Sequence, residues 1–379
     1  MIYLDHNATT PLEARVKEKI SEAEESFSNS GGNYGASLKS KRLVEDARTI
    51  IAESTGVQKR QVIFTSGATE SLTLAIWNSL LVSRASKRRI ILGRIEHQAV
   101  INTVKVAART LNFEIDYISA KKDGRYDLNE LSRKMDEDVS LVALMYANNE
   151  TGVFQDIEEI TSLCHKYEAH HLGDTTQVIG REKFDHFKGD SDYRCISAHK
   201  FYGPKGVGAL IASREVIESF ESVIPGGGQE FGVRGGTSNV PGIVGLAEAF
   251  KLFHNPDIAT LNFYRKLIRN LEDGIRINFP DVKINGEDSH RLANTTNILF
   301  TGLEADEILV SLQKVQASKA SACTTGVEEP SHVLIGMGLS PKDADSSIRF
   351  SIGKDTTEEE INGAVEDLSA AISRVLSFY

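Results

Sequence analysis

Apolar β-like runs alternate with amphipathic helical stretches through the first two thirds of this 379-residue chain, and this alternation constrains the fold more than any other feature. The runs include VIF, RIILG, FEIDYIS, SLVALMY and YRCIS. Alternation of this kind is typical of a largely parallel sheet that carries helices on both faces. Ligands of such sheets bind at the carboxyl ends of the strands. The sequence therefore predicts an α/β fold with a site at one edge of its sheet.

Polar residues stand where that rule places ligands. His97, Asn149, Asp174 and Lys200 each follow an apolar run at its carboxyl end. Lys200 comes after YRCIS and before the turn FYGPKG, where a lysine can project into a cleft. A pyridoxal phosphate (PLP) enzyme needs such a lysine for a Schiff base and a carboxylate near the ring nitrogen, which Asp174 can supply. Taken alone, the stretch also fits an ordinary solvated loop lysine.

The run QVIFTSGATES predicts a strand, a glycine turn at residues 66–69 and a helix from Glu70 onward. Backbone amides at a helix N-terminus, with a threonine hydroxyl beside them, bind phosphate without a cationic side chain. A simple helix cap is the alternative interpretation of this motif. The turn is therefore a candidate phosphate site.

The length of the chain exceeds the roughly 250–300 residues at which a single core usually stops growing, so we expect two lobes. The alternating pattern changes near Asn255, where a long helical stretch leads into β-like pieces. We predict a large domain over residues 15–254. A smaller domain would combine residues 1–14 with residues 255–379.

Composition excludes several classes of protein. The net charge of -10 argues against a directly gripped nucleic acid, because nonspecific binding depends on a basic surface. Since no run of about 18 apolar residues occurs, no membrane span is expected, and MIYLDHNATT does not resemble a signal peptide. Three cysteines cannot all pair, which points to the reducing cytoplasm.

The three cysteines stand in different surroundings. Cys164 lies in a helical stretch and Cys195 in a β-like run, so both are predicted to be buried and structural. Cys323 lies in QASKASACTTGV, which has little apolar surface to anchor it. We expect an exposed thiol there, reactive where its neighbours favour the thiolate.

Nine motifs spread over nearly the whole chain resemble cysteine desulfurases of the NifS/IscS type, which are relatives of the class V aminotransferases. They are YLDHNATTP, IFTSGATES, EHQAV, NNETGVFQDI, GDTTQVIG, SAHKFYGPKGVGAL, PGGGQEFGVRGGTSNV, SACTTGVEEPSHVL and SSIRFSIG. The resemblance implies the fold type I architecture of PLP-dependent transferases. In that architecture the large domain holds a mostly parallel seven-stranded sheet, and a smaller α+β domain carries the cysteine loop.

The resemblance also implies a role for each matched residue. Lys200 would form the covalent link to PLP, His97 would stack on its ring, and Cys323 would be the nucleophile that accepts sulfur. Asp174 would pair with the ring nitrogen and Gln177 with the ring oxygen.

The remaining implied roles concern the phosphate and the substrate. The phosphate would be held by Ala68, Thr69, Ser197 and His199, with Thr237 reaching the phosphate of the neighbouring subunit. Because Thr237 would act across an interface, a homodimer is implied. The substrate carboxylate would be bound by Asn149 and Arg349, with Asn33 nearby and Asn149 also beside the cofactor. From its residues alone, Arg349 has a surface salt bridge as its alternative.

The implied reaction converts L-cysteine to L-alanine and leaves a persulfide on Cys323, from which sulfur passes to an acceptor protein. Iron-sulfur assembly, tRNA thiolation and DNA phosphorothioation are the candidate routes. No resident metal is expected, although Cys323 is a candidate for a transient iron-sulfur ligand. A selenocysteine lyase would share nearly every named residue, and another PLP-dependent aminotransferase or lyase would need no reactive cysteine. A noncatalytic scaffold would have no reason to keep Lys200, Asp174 and Cys323 together.

Three places depart from the family pattern. Residues 32–37 read GNYGAS where Gly-Asn-Pro-Ser-Ser is usual, and Lys39 stands near the usual histidine, which bears on the geometry at Asn33. Lys319 precedes Cys323, where it is expected either to lower the pKa of the thiol or to face an acidic acceptor. The chain stops at Tyr379 without the docking tail of housekeeping members, so we expect a specialised acceptor.

Overall fold

The computed structural model describes residues 1–183, 191–319 and 329–377. Cys323 lies outside these described residues. Among the described helices, none is both long enough and apolar enough to cross a membrane.

Strands and helices alternate along the described chain, as predicted. The strands are β1 (Ile2–Tyr3), β2 (Val62–Thr65), β3 (Arg89–Gly93), β4 (Glu114–Ile118), β5 (Val139–Ala143), β6 (His170–Gly173), β7 (Tyr193–Ser197), β8 (Gly208–Ala212), β9 (Lys283–Ile284), β10 (Thr295–Leu299), β11 (Val315–Gln316) and β12 (Ser347–Ser351). The α-helices are α1 (Ala14–Glu24), α2 (Gly35–Thr55), α3 (Ala68–Ser83), α4 (Gln98–Leu111), α5 (Leu128–Lys134), α6 (Ile157–Lys166), α7 (Arg214–Glu218), α8 (Val240–Phe253), α9 (Ile258–Asn278), α10 (Ala305–Ser311), α11 (His332–Gly336), α12 (Pro341–Asp345) and α13 (Glu358–Leu376).

The main sheet has seven strands in the order β2-β8-β7-β6-β5-β3-β4. Strand β8 runs antiparallel to both of its neighbours, whereas the other adjacent pairs are parallel. All strands except β8 therefore end at the same edge of the sheet. The predicted α/β fold with a mostly parallel seven-stranded sheet is confirmed.

Helices cover both faces of this sheet because successive side chains of a strand point to opposite sides. In β2, Ile63 packs into the apolar cluster that contains residues of α3 and α4. Its neighbours Val62 and Phe64 pack into the cluster that contains residues of α2 and α8. A third cluster unites β5 and α6 with Val333 and Leu334 of α11.

A separate hydrophobic cluster forms around a three-stranded antiparallel sheet of order β12-β10-β9. Helices α9 and α13 pack on it through Leu267 and Leu368, which are fully buried. Strand β1 joins the same cluster because it pairs in parallel with β11, with Ile2 opposite Val315. The chain's first residues and its last third thus share one core. The domain bounds 15–254, and 1–14 with 255–379, stay a prediction.

Gly173 ends β6 against the ring of Tyr146, and a Cβ atom at this position would overlap that ring. Because Tyr146 is fully buried, its ring cannot move aside without disturbing the core. We expect Gly173→Ala to lower the free energy of unfolding by about 1–3 kcal/mol, measured by urea denaturation. Gly35→Ala is the matched control, since a Cβ atom there meets nothing within 4 Å. Equal midpoints for the two variants would contradict this assignment.

Candidate functional site

Five predicted positions follow neighbouring strands of the main sheet at one edge. His97 follows β3, Asn149 follows β5, Asp174 follows β6 and Lys200 follows β7, while Ala68 opens the helix after β2. The charges of Asp174 and Lys200 act on each other and on His97. The structure therefore brings the central predicted residues together.

Lys200 is a half-buried amine fixed by backbone carbonyls. Its Nζ donates hydrogen bonds to the carbonyl oxygens of Asn7 and Ala8, both at 2.7 Å. Burial and the positive charges of Arg181 and Arg349 lower the pKa of Lys200 to about 7, although Asp174 and Asp5 act in the opposite direction. A large fraction of the amine is therefore uncharged at neutral pH, as a lysine nucleophile requires.

Asp174 is a buried carboxylate, 9% exposed. Its Oδ1 accepts the backbone N–H of Thr176 at 2.9 Å and the S–H of Cys195 at 3.2 Å. Its Oδ2 accepts no hydrogen bond from the described residues. This oxygen can therefore accept a hydrogen bond from a protonated ring nitrogen. Cys195 and Cys164 are both fully buried, in line with their prediction as structural residues, but the contact of Cys195 with Asp174 was not predicted.

Gln177 lies one turn further along, with its side chain fixed at both ends. Its Nε2 donates to the carbonyl oxygen of Asn7 at 3.2 Å, and its Oε1 accepts from the guanidinium of Arg181. Asn7 and Arg181 were not predicted as site residues. Asn7 belongs to the opening motif YLDHNATTP, whereas the position of Arg181 carries no local signal of its role.

The phosphate candidate forms at the start of α3. Helix α3 begins at Ala68 rather than at Glu70, because Gly67, with φ 152°, adopts before the first turn a backbone conformation that residues with a side chain rarely reach. No side-chain cap closes this end among the described residues, so its backbone amides remain available to an anion. Thr69 is exposed in the first turn, and the hydroxyl of Ser197 lies beside Gly67.

Two histidines at this edge are neutral at pH 7. Burial, with Lys200 and Lys205 nearby, lowers the pKa of His199 to about 4, and its Nδ1 lies 3.1 Å from the hydroxyl of Thr9. His97 caps α4, because its Nδ1 accepts the backbone N–H of Ala99 at 3.1 Å. Burial, with Lys200 and His332 nearby, lowers the pKa of His97 although Asp174 acts in the opposite direction, so the ring is uncharged and carries its proton on Nε2.

Arg349 in β12 is buried and pairs with a carboxylate of its own chain. Its Nη2 donates to Asp5 Oδ1 at 2.6 Å, and its Nη1 donates to the carbonyl oxygen of Asn149 at 3.1 Å. The salt bridge that was the predicted alternative is present, but it does not lie at the surface, since Arg349 is only 4% exposed. Asp5 was not predicted, although the motif YLDHNATTP contains it.

Two further predicted positions are exposed, and a third is not among the described residues. Asn33 is exposed ahead of α2 and makes no hydrogen bond to the described residues. Thr237 is exposed and shares a small cavity with Thr65 and Ser66. Cys323 lies outside the described residues.

Lys319 forms ion pairs with two carboxylates of its own chain. Its Nζ lies 2.6 Å from Asp306 Oδ2 and 3.6 Å from Asp345 Oδ1. Its charge is therefore shared with two carboxylates of the same chain, and its two hypothetical roles stay predictions.

The donor set fits PLP. The amine of Lys200, which is readily uncharged, suits the aldehyde of that cofactor, and the buried carboxylate of Asp174 suits its ring nitrogen. The amide N–H of Gln177 suits the ring oxygen, and the uncapped N-terminus of α3 suits the phosphate. These groups lie at one edge of the sheet, as the fold requires.

Comparisons with known proteins agree with this site. The family model "Aminotransferase class-V" matches residues 2–363. A cysteine desulfurase of Frankia sp. (strain EuIK1) is 38% identical over 100% of this chain and 92% of its own length. Cysteine desulfurase IscS of Pasteurella multocida (strain Pm70) is 37% identical over 99% of this chain and 93% of its own.

Solved structures give the same result. A NifS-like protein superposes with a TM-score of 0.91 at 33% identity and covers 100% of both chains. SspA in complex with cysteine superposes with a TM-score of 0.81 at 30% identity, covering 93% of this chain and 99% of its own. The chain belongs to the class-V aminotransferase family and, within it, to the NifS/IscS-like cysteine desulfurases.

Proposed function

We propose that this protein is a PLP-dependent cysteine desulfurase that converts L-cysteine to L-alanine and leaves the sulfur as a persulfide on Cys323. The observation that carries the proposal is the Lys200 amine, whose pKa is lowered to about 7 beside Asp174 and His97. A lysine of this kind, in a chain whose full-length relatives are cysteine desulfurases, supports that reaction.

The residues that would hold the cofactor follow from the contacts above. Lys200 would carry it, Asp174 would face the ring nitrogen, Gln177 would donate to the ring oxygen, and His97 would cover the ring. The phosphate would be bound by Ala68, Thr69, Ser197 and His199. When bound, PLP withdraws electrons from the α-carbon of an amino-acid substrate.

The protein's own groups bind the substrate and move its proton. Arg349 Nε is buried and makes no hydrogen bond to the described residues, which leaves this donor open for the substrate carboxylate. Asn149 lies at the same guanidinium. When it is not bonded to the cofactor, the amine of Lys200 can take a proton from the α-carbon, because its lowered pKa makes it a base at neutral pH.

The sulfur step needs no external oxidant. The Cys323 thiolate attacks the sulfur of the substrate, an S–S bond forms and the C–S bond breaks. The electron pair of that bond stays with the carbon, which takes up one proton to become the methyl group of alanine. The substrate carbon is thus reduced by two electrons while its sulfur and the Cys323 sulfur are each oxidised by one, and a thiol of an acceptor protein can then remove the terminal sulfur.

We also propose the expected homodimer, acting in the cytoplasm with a sulfur-acceptor protein. Exposed Thr237 lies close in sequence to Phe231, which is 45% exposed although it is a large apolar residue. Phe231 and Glu230 both adopt positive φ angles, of 60° and 48°. An unusual backbone that presents an apolar ring to solvent supports a protein contact at this face.

The persulfide can be observed directly. After incubation with L-cysteine, we expect the wild-type peptide that contains Cys323 to gain one sulfur by mass spectrometry, with alanine released. Cys323→Ala should yield neither product. Cys164→Ala is the matched control and should keep both, because Cys164 is fully buried. Alanine formation by Cys323→Ala would exclude the proposed nucleophile.

Arg349→Lys keeps the positive charge but removes the planar fork of donors. We expect the KM for L-cysteine to rise by roughly 10–100-fold with a smaller change in kcat, because a charge-assisted hydrogen bond contributes about 1.5–3 kcal/mol. Steady-state kinetics measures both constants. Arg291→Lys is the control, since Arg291 pairs with Glu272 at 2.9 Å away from the proposed site. An unchanged KM in Arg349→Lys would remove Arg349 from substrate binding.

A further inference from the structure

Arg181 is a buried cation that pairs with no carboxylate among the described residues. Its guanidinium is 4% exposed and donates to neutral acceptors. These are Gln177 Oε1, the carbonyl oxygen of Gln177 at 3.4 Å, and the carbonyl oxygens of His6 and Lys200 at 2.9 Å each. Arg48 shows the usual arrangement, with Nη1 2.7 Å from Glu230 Oε2. Burying a charge without a counterion is costly, so the position of Arg181 calls for a functional explanation.

The first consequence concerns the amide of Gln177. A guanidinium can only donate hydrogen bonds, so the atom facing Arg181 must be Oε1. The donor Nε2 then points to the carbonyl oxygen of Asn7. That same carbonyl oxygen accepts from Nζ of Lys200 at 2.7 Å. Arg181 therefore fixes which end of Gln177 faces the lysine.

The second consequence concerns the backbone of Lys200. Nη2 of Arg181 donates to the carbonyl oxygens of Lys200 and His6, which lie far apart in the chain. One planar group thus connects the turn after β6, the turn after β7 and the N-terminal segment. A rigid fork of several donors suits this task, whereas a lysine offers a flexible point charge.

We infer that Arg181 is a positioning residue of the lysine site. It orients the amide of Gln177 so that Nε2 can donate to the cofactor ring oxygen, and it places close to Lys200 a positive charge that has no ion-pair partner among the described residues. This inference rests on the proposed function, because Lys200 and Gln177 act on the cofactor there. Arg181 itself would touch neither cofactor nor substrate.

The charges around Lys200 agree with this role. The charged and titratable groups that act on its amine are Arg181, Arg349, Asp174, Asp5, His97 and His199. Both histidines are neutral near pH 7, so two arginines oppose two carboxylates. After burial, Arg181 contributes most to lowering the pKa of Lys200. Burial lowers the pKa of Arg181 itself to about 10, which leaves it charged at neutral pH.

The charge can be tested on the protein without cofactor. Lysines would be acetylated with trace acetic anhydride between about pH 5 and pH 10, and the label on the Lys200 peptide would be measured relative to exposed Lys105. Removing the charge in Arg181→Met should raise the pKa of Lys200, so that labelling at pH 7 falls by about 3–10-fold because less of the amine is uncharged. Arg181→Lys keeps the charge and should retain the wild-type curve. A wild-type curve in folded Arg181→Met, or a displaced curve in Arg181→Lys, would overturn the electrostatic role.

The clamp on Gln177, meaning the hydrogen bond by which Arg181 fixes its amide, can be tested by measuring the affinity of the apoprotein for PLP. Binding is followed by fluorescence. We expect Arg181→Lys and Gln177→Leu each to weaken binding by about 3–10-fold, the equivalent of one hydrogen bond. The double variant should bind no more weakly than Gln177→Leu, because the two residues act as one unit. Additive losses would contradict the clamp. If the wild-type enzyme forms no persulfide, the proposed reaction is wrong, yet both measurements still decide the role of Arg181.

Discussion

The structure depends on how the first residues of the chain satisfy buried polar groups. The carbonyl oxygens of Asn7 and Ala8 accept hydrogen bonds from the amine of Lys200, which follows β7 of the main sheet. The backbone N–H of Asn7 donates to Ser351 Oγ at 2.8 Å, and Ser351 ends β12 of the three-stranded sheet. Buried donors and acceptors need partners, so the main sheet and the three-stranded sheet cannot separate here without breaking several hydrogen bonds. The N-terminal segment thus contributes to the candidate site and also connects the two sheets.

This arrangement explains the electrostatics of the site. Asp5 reaches Arg349, and Asn7 reaches both Lys200 and Gln177, so one short segment links the predicted cofactor and substrate groups. Buried charges of both signs lie within each other's influence there. Small shifts of this segment would change the protonation of Lys200, because interactions between charges are strong where water is excluded.

The sequence predicted the main sheet and the edge where the candidate site lies, because both depend on local patterns. Alternation of strands and helices indicated a parallel sheet, and the rule for strand ends identified His97, Asp174 and Lys200. Asp5 was missed because its partner is distant in the chain, and Arg181 because one of its acceptors, the carbonyl oxygen of His6, lies 175 positions away. Asp5 meets Arg349 across 344 positions. The start of α3 was placed two residues late, because the conformation of Gly67 cannot be deduced from its neighbours.

Cys195 shows how burial can keep a thiol chemically inert. Its S–H bonds to Asp174, and burial together with that carboxylate raises its pKa well above the ordinary range. A protonated thiol is a poor nucleophile. An enzyme that transfers sulfur must prevent the transfer of that sulfur to a cysteine other than its nucleophile. Cys195 lies beside the candidate site, but its thiol stays protonated. The protein can therefore keep this cysteine next to Asp174 without a second thiol that competes for sulfur.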